Sequence, residues 1–546
     1  IIMGRLFLAF VITVSLSSFP KAETIALKNA NIIDVETLTI LKNKTVLLEG
    51  KTIKAIVDGK AKLDSTTISV DMSGKYIIPG LIDTHVHHAT SPDDYDNDQV
   101  TTLRLRNLLR GGVTSVRDMG GDNRALFSLK RRAEIDVIQS PDIYYSVIIG
   151  GQEFFDDPRT VASAKGRKSG AVDWMRAVDA NTNFDEVMVR AKGTGATGIK
   201  IYAKVPASVI PLLEKSANKH GLQVWSHAFV GPARPLELVK AGVNVISHAP
   251  DIAAHVIENF YDLRRKGVQI TQQQKEASLA LKSYDSLMGE MKAQGTILDA
   301  TLTVFEQSIE QRGEFAELMY KWGLTFTRLA HQYGVKISTG TDGTSDALGM
   351  EYPLVHHEMQ LLVNNLGLSP LEALRSATLI GAQVIGIDAE YGEVKSGKVA
   401  NLVILNSDPS ADVKNTLDIA HVIKNGKFAF RGNNPALPFS SARKAGGMLW
   451  LSGQLGNLPT TKVLASQTIE GQMKQTMDNI GLVLQEYDLN YEDIAKCTLM
   501  LADISDWPIA NQVYTPYFTQ LPARSAFATS GLALGAKVEI ECVAEL

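Results

Sequence analysis

The sequence predicts an α/β protein built around a (β/α)8 barrel of the TIM type, and three observations carry that expectation. Between Ile78 and Ile387, strand-like apolar runs alternate with helical stretches eight times, over a length usual for such barrels. Two segments of another texture flank this region. Ile25 to Val70 and Gly392 to Phe430 both break short apolar runs with Asn, Asp and Gly turns, as in Asn29-Ala-Asn-Ile-Ile-Asp and His421-Val-Ile-Lys-Asn-Gly-Lys. Third, 546 residues exceed one core at about 100 to 200 residues per domain.

In chain order, residues 1–22 read as a secretory signal peptide. Arg5 precedes the apolar run Leu6 to Leu16, and the small residue Ala22 offers a cleavage edge before Glu23. The run is short for a bilayer span and no other segment has 18 consecutive apolar residues, so a periplasmic or secreted protein free of the membrane is expected. Residues 23–77 and 388–432 are expected to complete one small β-sandwich around the barrel of 78–387. Barrel strands are expected at Tyr76 to Asp83, Val113 to Asp118, Ile143 to Ile149, Gly198 to Tyr202, Gln223 to His227, Val243 to His248, Ile297 to Thr301 and Lys336 to Thr341. After the Arg431-Gly-Asn-Asn-Pro stretch, residues 434–546 read as a separate α+β domain.

Composition excludes some partners. Lys plus Arg number 55 against 59 Asp plus Glu, a formal charge of −4, so no basic excess is available for nucleic acid. Cys497 and Cys542 are the two cysteines, too few for a disulfide framework or a thiolate zinc site, and both read as buried core of predicted strands. Any metal must therefore be held by histidine, carboxylate or a modified lysine.

A candidate set of that kind is present. His85 and His87 end the first barrel strand as His-Val-His, and residues i and i+2 of a strand point to one face. Lys200, His227, His248 and Asp342 fall at the C-terminal ends of strands four, five, six and eight, the rim where barrel active sites form. Four histidines, a lysine and an aspartate thus converge on one mouth. His88 reads as a support to the ligands, His220 as a helix-end residue, and His356 and His357 as packing or surface residues of a helix.

Pro79-Gly-Leu-Ile-Asp-Thr-His-Val-His, Gly112-Val-Thr-Ser-Val-Arg-Asp, Gly198-Ile-Lys-Ile-Tyr, Trp225-Ser-His, Ile246-Ser-His, Gly340-Thr-Asp and Leu368-Ser-Pro-Leu-Glu-Ala-Leu together resemble the amidohydrolase superfamily, closest to its imidazolonepropionase-like and prolidase-like branch. The resemblance runs from about Thr24 to Gly432. It departs at Asn401, where the usual motif has Asp, far from the expected site. It implies two divalent metal ions and a carboxylated Lys200 between them, with His85, His87 and Asp342 on one ion and His227 and His248 on the other. Such a pair, about 3.5 to 4 Å apart, can activate a water and polarise a carbonyl. Asp342 would be the catalytic proton carrier to the leaving nitrogen. Zinc suits the imidazole-rich set, with Mn, Fe and Co as alternatives. Tyr202 would bind a substrate carboxylate. The implied reaction is hydrolysis of a C–N bond in a small amide, dipeptide or cyclic amide. The rivals are a mononuclear-metal deaminase and a non-catalytic ligand-binding or scaffold protein.

Leu449-Trp-Leu-Ser-Gly-Gln-Leu-Gly, Tyr491-Glu-Asp-Ile-Ala-Lys-Cys, Pro522-Ala-Arg-Ser and Val538-Glu-Ile-Glu resemble the RidA (YjgF/UK114) family, with its chorismate mutase-like fold. That resemblance implies trimers with clefts between subunits and hydrolysis of imino or enamino acids, Arg524 clamping a carboxylate and Glu539 orienting water. Two positions depart from the family's pattern, Phe439 for Tyr and Ala526 for Cys, which affects the range of substrates. The domain carries 7 Lys plus Arg and 11 Asp plus Glu, a balance that argues against a nuclease role.

Overall fold

The computed structural model describes residues 24–89, 97–265, 268–343, 352–431, 439–458 and 463–546; the expected signal peptide lies outside them. The barrel strands are Leu81–Val86, Val113–Asp118, Asp142–Gly150, Gly198–Ile201, Gln223–His227, Val245–Ser247, Ile297–Asp299 and Ile337–Ser338. Each pairs in parallel with the next. The ring closes where Thr84 N–H donates to the Thr339 carbonyl at 3.2 Å and His87 N–H to the Gly343 carbonyl at 2.7 Å. The first two strands are buried at every position, as a parallel sheet covered by helices requires.

One expected strand divides in two. Tyr76–Pro79 belongs to the flanking sheet, antiparallel to Leu402–Leu405, and Leu81–Val86 alone opens the barrel. Gly80 makes the step possible, because a Cβ there would collide with the Thr114 side chain. The apolar run is continuous across the step, so its pattern could not mark the break.

By hydrogen bonding, the expected sandwich is one continuous eight-stranded sheet. Leu402–Leu405, Ile419–Lys424 and Lys427–Arg431 join the N-terminal strands through Tyr76–Pro79. Asn401 helps to tie this sheet to the barrel, accepting from Asn425 N–H at 2.8 Å and donating to Asp142 at 3.3 Å. Leu458 and Ala465 of the C-terminal domain enter the same apolar core, and an Arg106–Asp488 ion pair adds a polar contact between the domains.

The C-terminal domain is a six-stranded sheet with Ile469–Glu486 packed on one face through Met473, Met477, Ile480 and Leu484. Cys497 and Cys542 are buried as expected, but they also face each other across Ile494–Leu501 and Val538–Glu545 and form a disulfide. Their antiparallel register brings the Cα atoms to 4.1 Å, a proximity that their separation in sequence hides. No helix among the described residues is long and apolar enough to cross a membrane.

Candidate metal centre and C-terminal site

Parallel strands deliver their last residues to one rim, and here that rim gathers the six expected side chains. Donor atoms of His85, His87 and Asp342 lie within 4.8 Å of one another. Asp342 Oδ1 is 3.0 Å from His87 Nε2 and 3.4 Å from His85 Nε2. His248 and His227 extend the cluster, with ring centres 4.9 Å apart for His85 and His248 and 4.8 Å for His248 and His227. Lys200 is fully buried, its Nζ 5.8 Å from the centre of the Tyr202 ring and without a hydrogen-bond partner among the described residues.

The outer nitrogens of three rings are already occupied. His85 Nδ1 lies 2.7 Å from Asp299 Oδ2, His87 Nδ1 3.1 Å from the Gly120 carbonyl, and His248 Nδ1 2.9 Å from Thr301 Oγ1. An imidazole that donates through Nδ1 keeps its Nε2 lone pair for a cation. His248, Thr301 and Asp342 all adopt left-handed backbone (φ 72°, 53° and 54°) just past strands six, seven and eight. Such conformations cost about 1–3 kcal/mol each in residues other than glycine and cluster at functional sites.

Beneath the rim lies a network that the sequence did not reveal. Asp299, at the end of strand seven, also accepts from Arg117 Nη2 at 3.0 Å, Ser247 Oγ at 2.9 Å and Thr84 Oγ1 at 2.9 Å. Arg117 is fully buried against the Trp225 ring and also donates to the Thr84 carbonyl at 2.5 Å. A Cβ at Gly340 would strike the Asp299 carboxylate and the His85 Cβ, so glycine there lets strand eight approach. Asp83 accepts from His85 N–H and from Thr341, joining the first strand to the last.

Burial, and then the Arg117 charge, push the Lys200 pKa down to about 7. Burial, and then Lys200, lower His85 to about 4. Burial opposes ionisation of Asp342, but the surrounding histidines, His85 foremost, more than offset it and hold its carboxyl below the usual range. Burial also lowers His248, whereas at His87 burial is outweighed by Asp342, which raises the pKa, so a cation there would displace a proton. A near-neutral amine, an ionised carboxylate and imidazole nitrogens form a donor set that fits divalent cations.

Above this floor opens a cavity of about 440 Å³, lined by Tyr202, Phe154, Arg159, Arg264, Phe305 and Phe315 among others. Tyr202 stacks on Phe154 at 5.3 Å and donates its hydroxyl to the Met119 carbonyl at 2.7 Å, so to bind a carboxylate it would have to release that carbonyl. The other histidines lie apart from the donor set. His88 is buried beside it, its backbone N–H donating to Asp118 at 2.7 Å. His220 caps the helix Ile210–Lys219. His356 is buried between Thr416 and the Gly111 carbonyl, and His357 pairs with Glu306.

In the C-terminal domain Arg524 donates to Asn511 at 2.6 Å and lies 4.7 Å from the Tyr514 ring centre. Burial, and then Glu541, raise the Glu539 pKa. Register separates the two residues. Arg524 pairs with Cys497 and shares its helix-covered face, whereas Glu539 pairs with Met500, which pairs with Phe527 on the opposite face. Within one chain they cannot meet. Trp450 and Phe527, both about half exposed, lie on the Glu539 face.

Residues 76–429 match the model of the amidohydrolase family, and residues 432–546 match that of the family described as Endoribonuclease L-PSP. The C-terminal segment is 41% identical over 110 residues to Reactive Intermediate Deaminase A, chloroplastic, of Arabidopsis thaliana, covering 20% of this chain and 59% of that protein. It is 34% identical over 108 residues to the 2-iminobutanoate/2-iminopropanoate deaminase of Homo sapiens, covering 20% of this chain and 79% of that protein. In fold, 76% of the chain is similar to 96% of a putative prolidase from Bifidobacterium longum (TM-score 0.57, 22% identity). Similar values hold for a Xaa-Pro dipeptidase (TM-score 0.57, 20% identity, 75% and 100% covered) and for A. niger ochratoxinase (0.59, 18%, 76% and 96%).

Proposed function

The chain belongs to the amidohydrolase family and carries a RidA-type domain behind its barrel, and on that premise we propose a dinuclear C–N hydrolase of small amides or dipeptides. The observation that carries this reading is the buried Lys200 amine, without a hydrogen-bond partner among the described residues, beside the imidazoles of His85, His87 and His248 whose Nδ1 atoms are already engaged. An amine with a pKa near 7 is available to capture carbon dioxide, and the resulting carbamate would join two sets of ligands, His85, His87 and Asp342 on one side and His227 and His248 on the other. Two divalent ions, zinc by ligand preference, would supply Lewis-acid polarisation and an activated water. Asp342, kept ionised by its neighbours, takes a proton on its carboxylate and delivers it to the leaving nitrogen. The cavity walls hold the substrate and exclude bulk water.

A second reading has one observation in its favour. The tightest donor group is His85, His87 and Asp342 alone, which would suit a mononuclear deaminase. Metal stoichiometry separates the two.

For the C-terminal domain we propose a trimer in which Arg524 of one subunit and Glu539 of the next complete an imine-hydrolysing cleft. The opposite faces of these residues and the exposed Trp450 and Phe527 support that arrangement. Export belongs to the same proposal, and a disulfide fits an oxidising compartment. N-terminal sequencing of envelope material should begin near Glu23, and an intact Met3 start in cytosol would reject export.

The test of the main reading is a screen of the metal-loaded chain against Xaa-Pro and other dipeptides, N-acyl amino acids and cyclic imides, read by amine release. Cleavage that is lost on chelation and restored by metal is expected. A chain that binds metal and cleaves none of them would favour a ligand-binding protein.

A further inference from the structure

We propose that the two domains act in sequence on an N-acyl-2,3-dehydroamino acid, with Arg264 holding its α-carboxylate in the barrel cavity. This rests on the hydrolase and imine-deaminase readings above and names the substrate that makes both necessary. Hydrolysis of an ordinary N-acyl amino acid releases a saturated amine, which is stable in water and gives an imine deaminase nothing to act on. A dehydroamino acid differs. Water adds to the acyl carbon, the C–N bond breaks, and the nitrogen takes up a proton. It leaves as the primary amino group of an enamine, on the alkene carbon that bears the carboxylate. Moving one proton from nitrogen to the β-carbon gives the 2-imino acid. A second water then yields the 2-keto acid and ammonium, and no oxidant or reductant is needed.

The α-carboxylate persists through every step, so each site needs a cation for it. In the C-terminal domain that cation is Arg524. In the barrel, three arginines line the cavity. Arg159 spends its Nε and Nη2 on Asp157, and Arg312 is exposed. Arg264 is differently placed. Its Nε is fixed by buried Asp251 at 2.9 Å and its guanidinium lies 5.3 Å from the Phe305 ring centre. Among the described residues its two terminal nitrogens have no acceptor, and Phe305 in turn lies 6.0 Å from the His248 ring. One arginine edge is therefore anchored while a second, two-pronged edge remains for a carboxylate next to the ligand cluster. An sp2 α-carbon also keeps carboxylate, alkene and nitrogen in one plane, which suits the flat face made by Tyr202 and Phe154, stacked with 25° between their rings. Joining both sites in one chain raises the effective concentration of a short-lived enamine at the second site.

The test uses the metal-loaded full chain with N-acyl-2-aminobut-2-enoate and its saturated counterpart, each as acetyl, glycyl and prolyl derivatives. The acyl product and 2-oxobutanoate are followed separately. The dehydro compound should be cleaved, with keto acid appearing without lag behind the acyl product. In Arg524→Ala, keto acid formation should slow by about 30-fold or more. Arg264→Gln should raise KM by a similar factor with a smaller effect on kcat, and Arg264→Lys should recover part of the loss. Cleavage of the saturated compounds alone, or of none of these while Xaa-Pro dipeptides or cyclic imides are cleaved, would overturn this proposal and leave the hydrolase reading standing, whereas cleavage of nothing in either panel would overturn both. Identical keto acid curves for wild type and Arg524→Ala would show that the domains do not act in sequence, and an unchanged KM in Arg264→Gln would remove Arg264 from the site.

Discussion

The barrel mouth and the C-terminal sheet solve the same problem, bringing distant residues together, in opposite ways. A closed ring of parallel strands points all of its ends at one place, so His85, Lys200, His227, His248 and Asp342 meet within one chain. An open sheet has two faces, and its alternation sends Arg524 and Glu539 to different ones. On the proposed reading the barrel's site is complete in a monomer, whereas the sheet's site would be completed only where two copies meet. Oligomerisation should therefore govern the second activity and leave the first alone.

The largest expected effect is at the barrel. Asp342→Asn should reduce amide hydrolysis by about 10²- to 10⁴-fold, measured as kcat on the best substrate from the screen. A loss under tenfold would take Asp342 out of proton transfer. Next is Asp299→Asn, which removes the charged anchor of His85 Nδ1. Metal affinity, read by titration with cobalt, should fall by about 10- to 100-fold while the far-ultraviolet circular dichroism stays that of the wild type. Unchanged affinity would make Asp299 a purely structural residue.

Mixing tests the comparison itself. Arg524→Ala and Glu539→Gln chains, each inactive on imines, should regain about a quarter of wild-type activity when co-expressed, because random assembly pairs an intact Arg524 with an intact Glu539 at one cleft in four. No recovery in mixed oligomers would place the site within one chain, against the register seen here. The smallest effect on amide hydrolysis is expected from reducing the Cys497–Cys542 bond. Reduction should cost the C-terminal domain about 2–4 kcal/mol in chemical denaturation and leave the barrel transition in place. A shift of both transitions would mean that the two domains unfold as one.

Much of this was legible in the sequence because a barrel strand reports its own end. His-Val-His, Gly-Ile-Lys and Ser-His each follow a short apolar run, so position in the repeat gives position on the rim. Asp299 was hidden because Ile297-Leu-Asp gives no sign of which strands its carboxylate will bridge. Arg117 did carry a signal: a guanidinium inside a strand buried on both faces requires a buried partner. Arg264 lies in a helix past the sixth strand, where nothing in the local pattern separates a cavity-lining arginine from a solvated one. The cysteine pair and the separation of Arg524 from Glu539 depend on antiparallel register, which local sequence does not specify.

Whether the barrel holds two metals bridged through Lys200 is decided by elemental analysis of the chain purified without chelator, set beside Lys200→Ala. Wild-type protein should carry about two divalent ions per chain, and the variant should lose most of that metal. One ion per chain in both proteins would favour the mononuclear reading, and wild-type protein that holds no metal and takes up none would rule out a metal site at the barrel mouth.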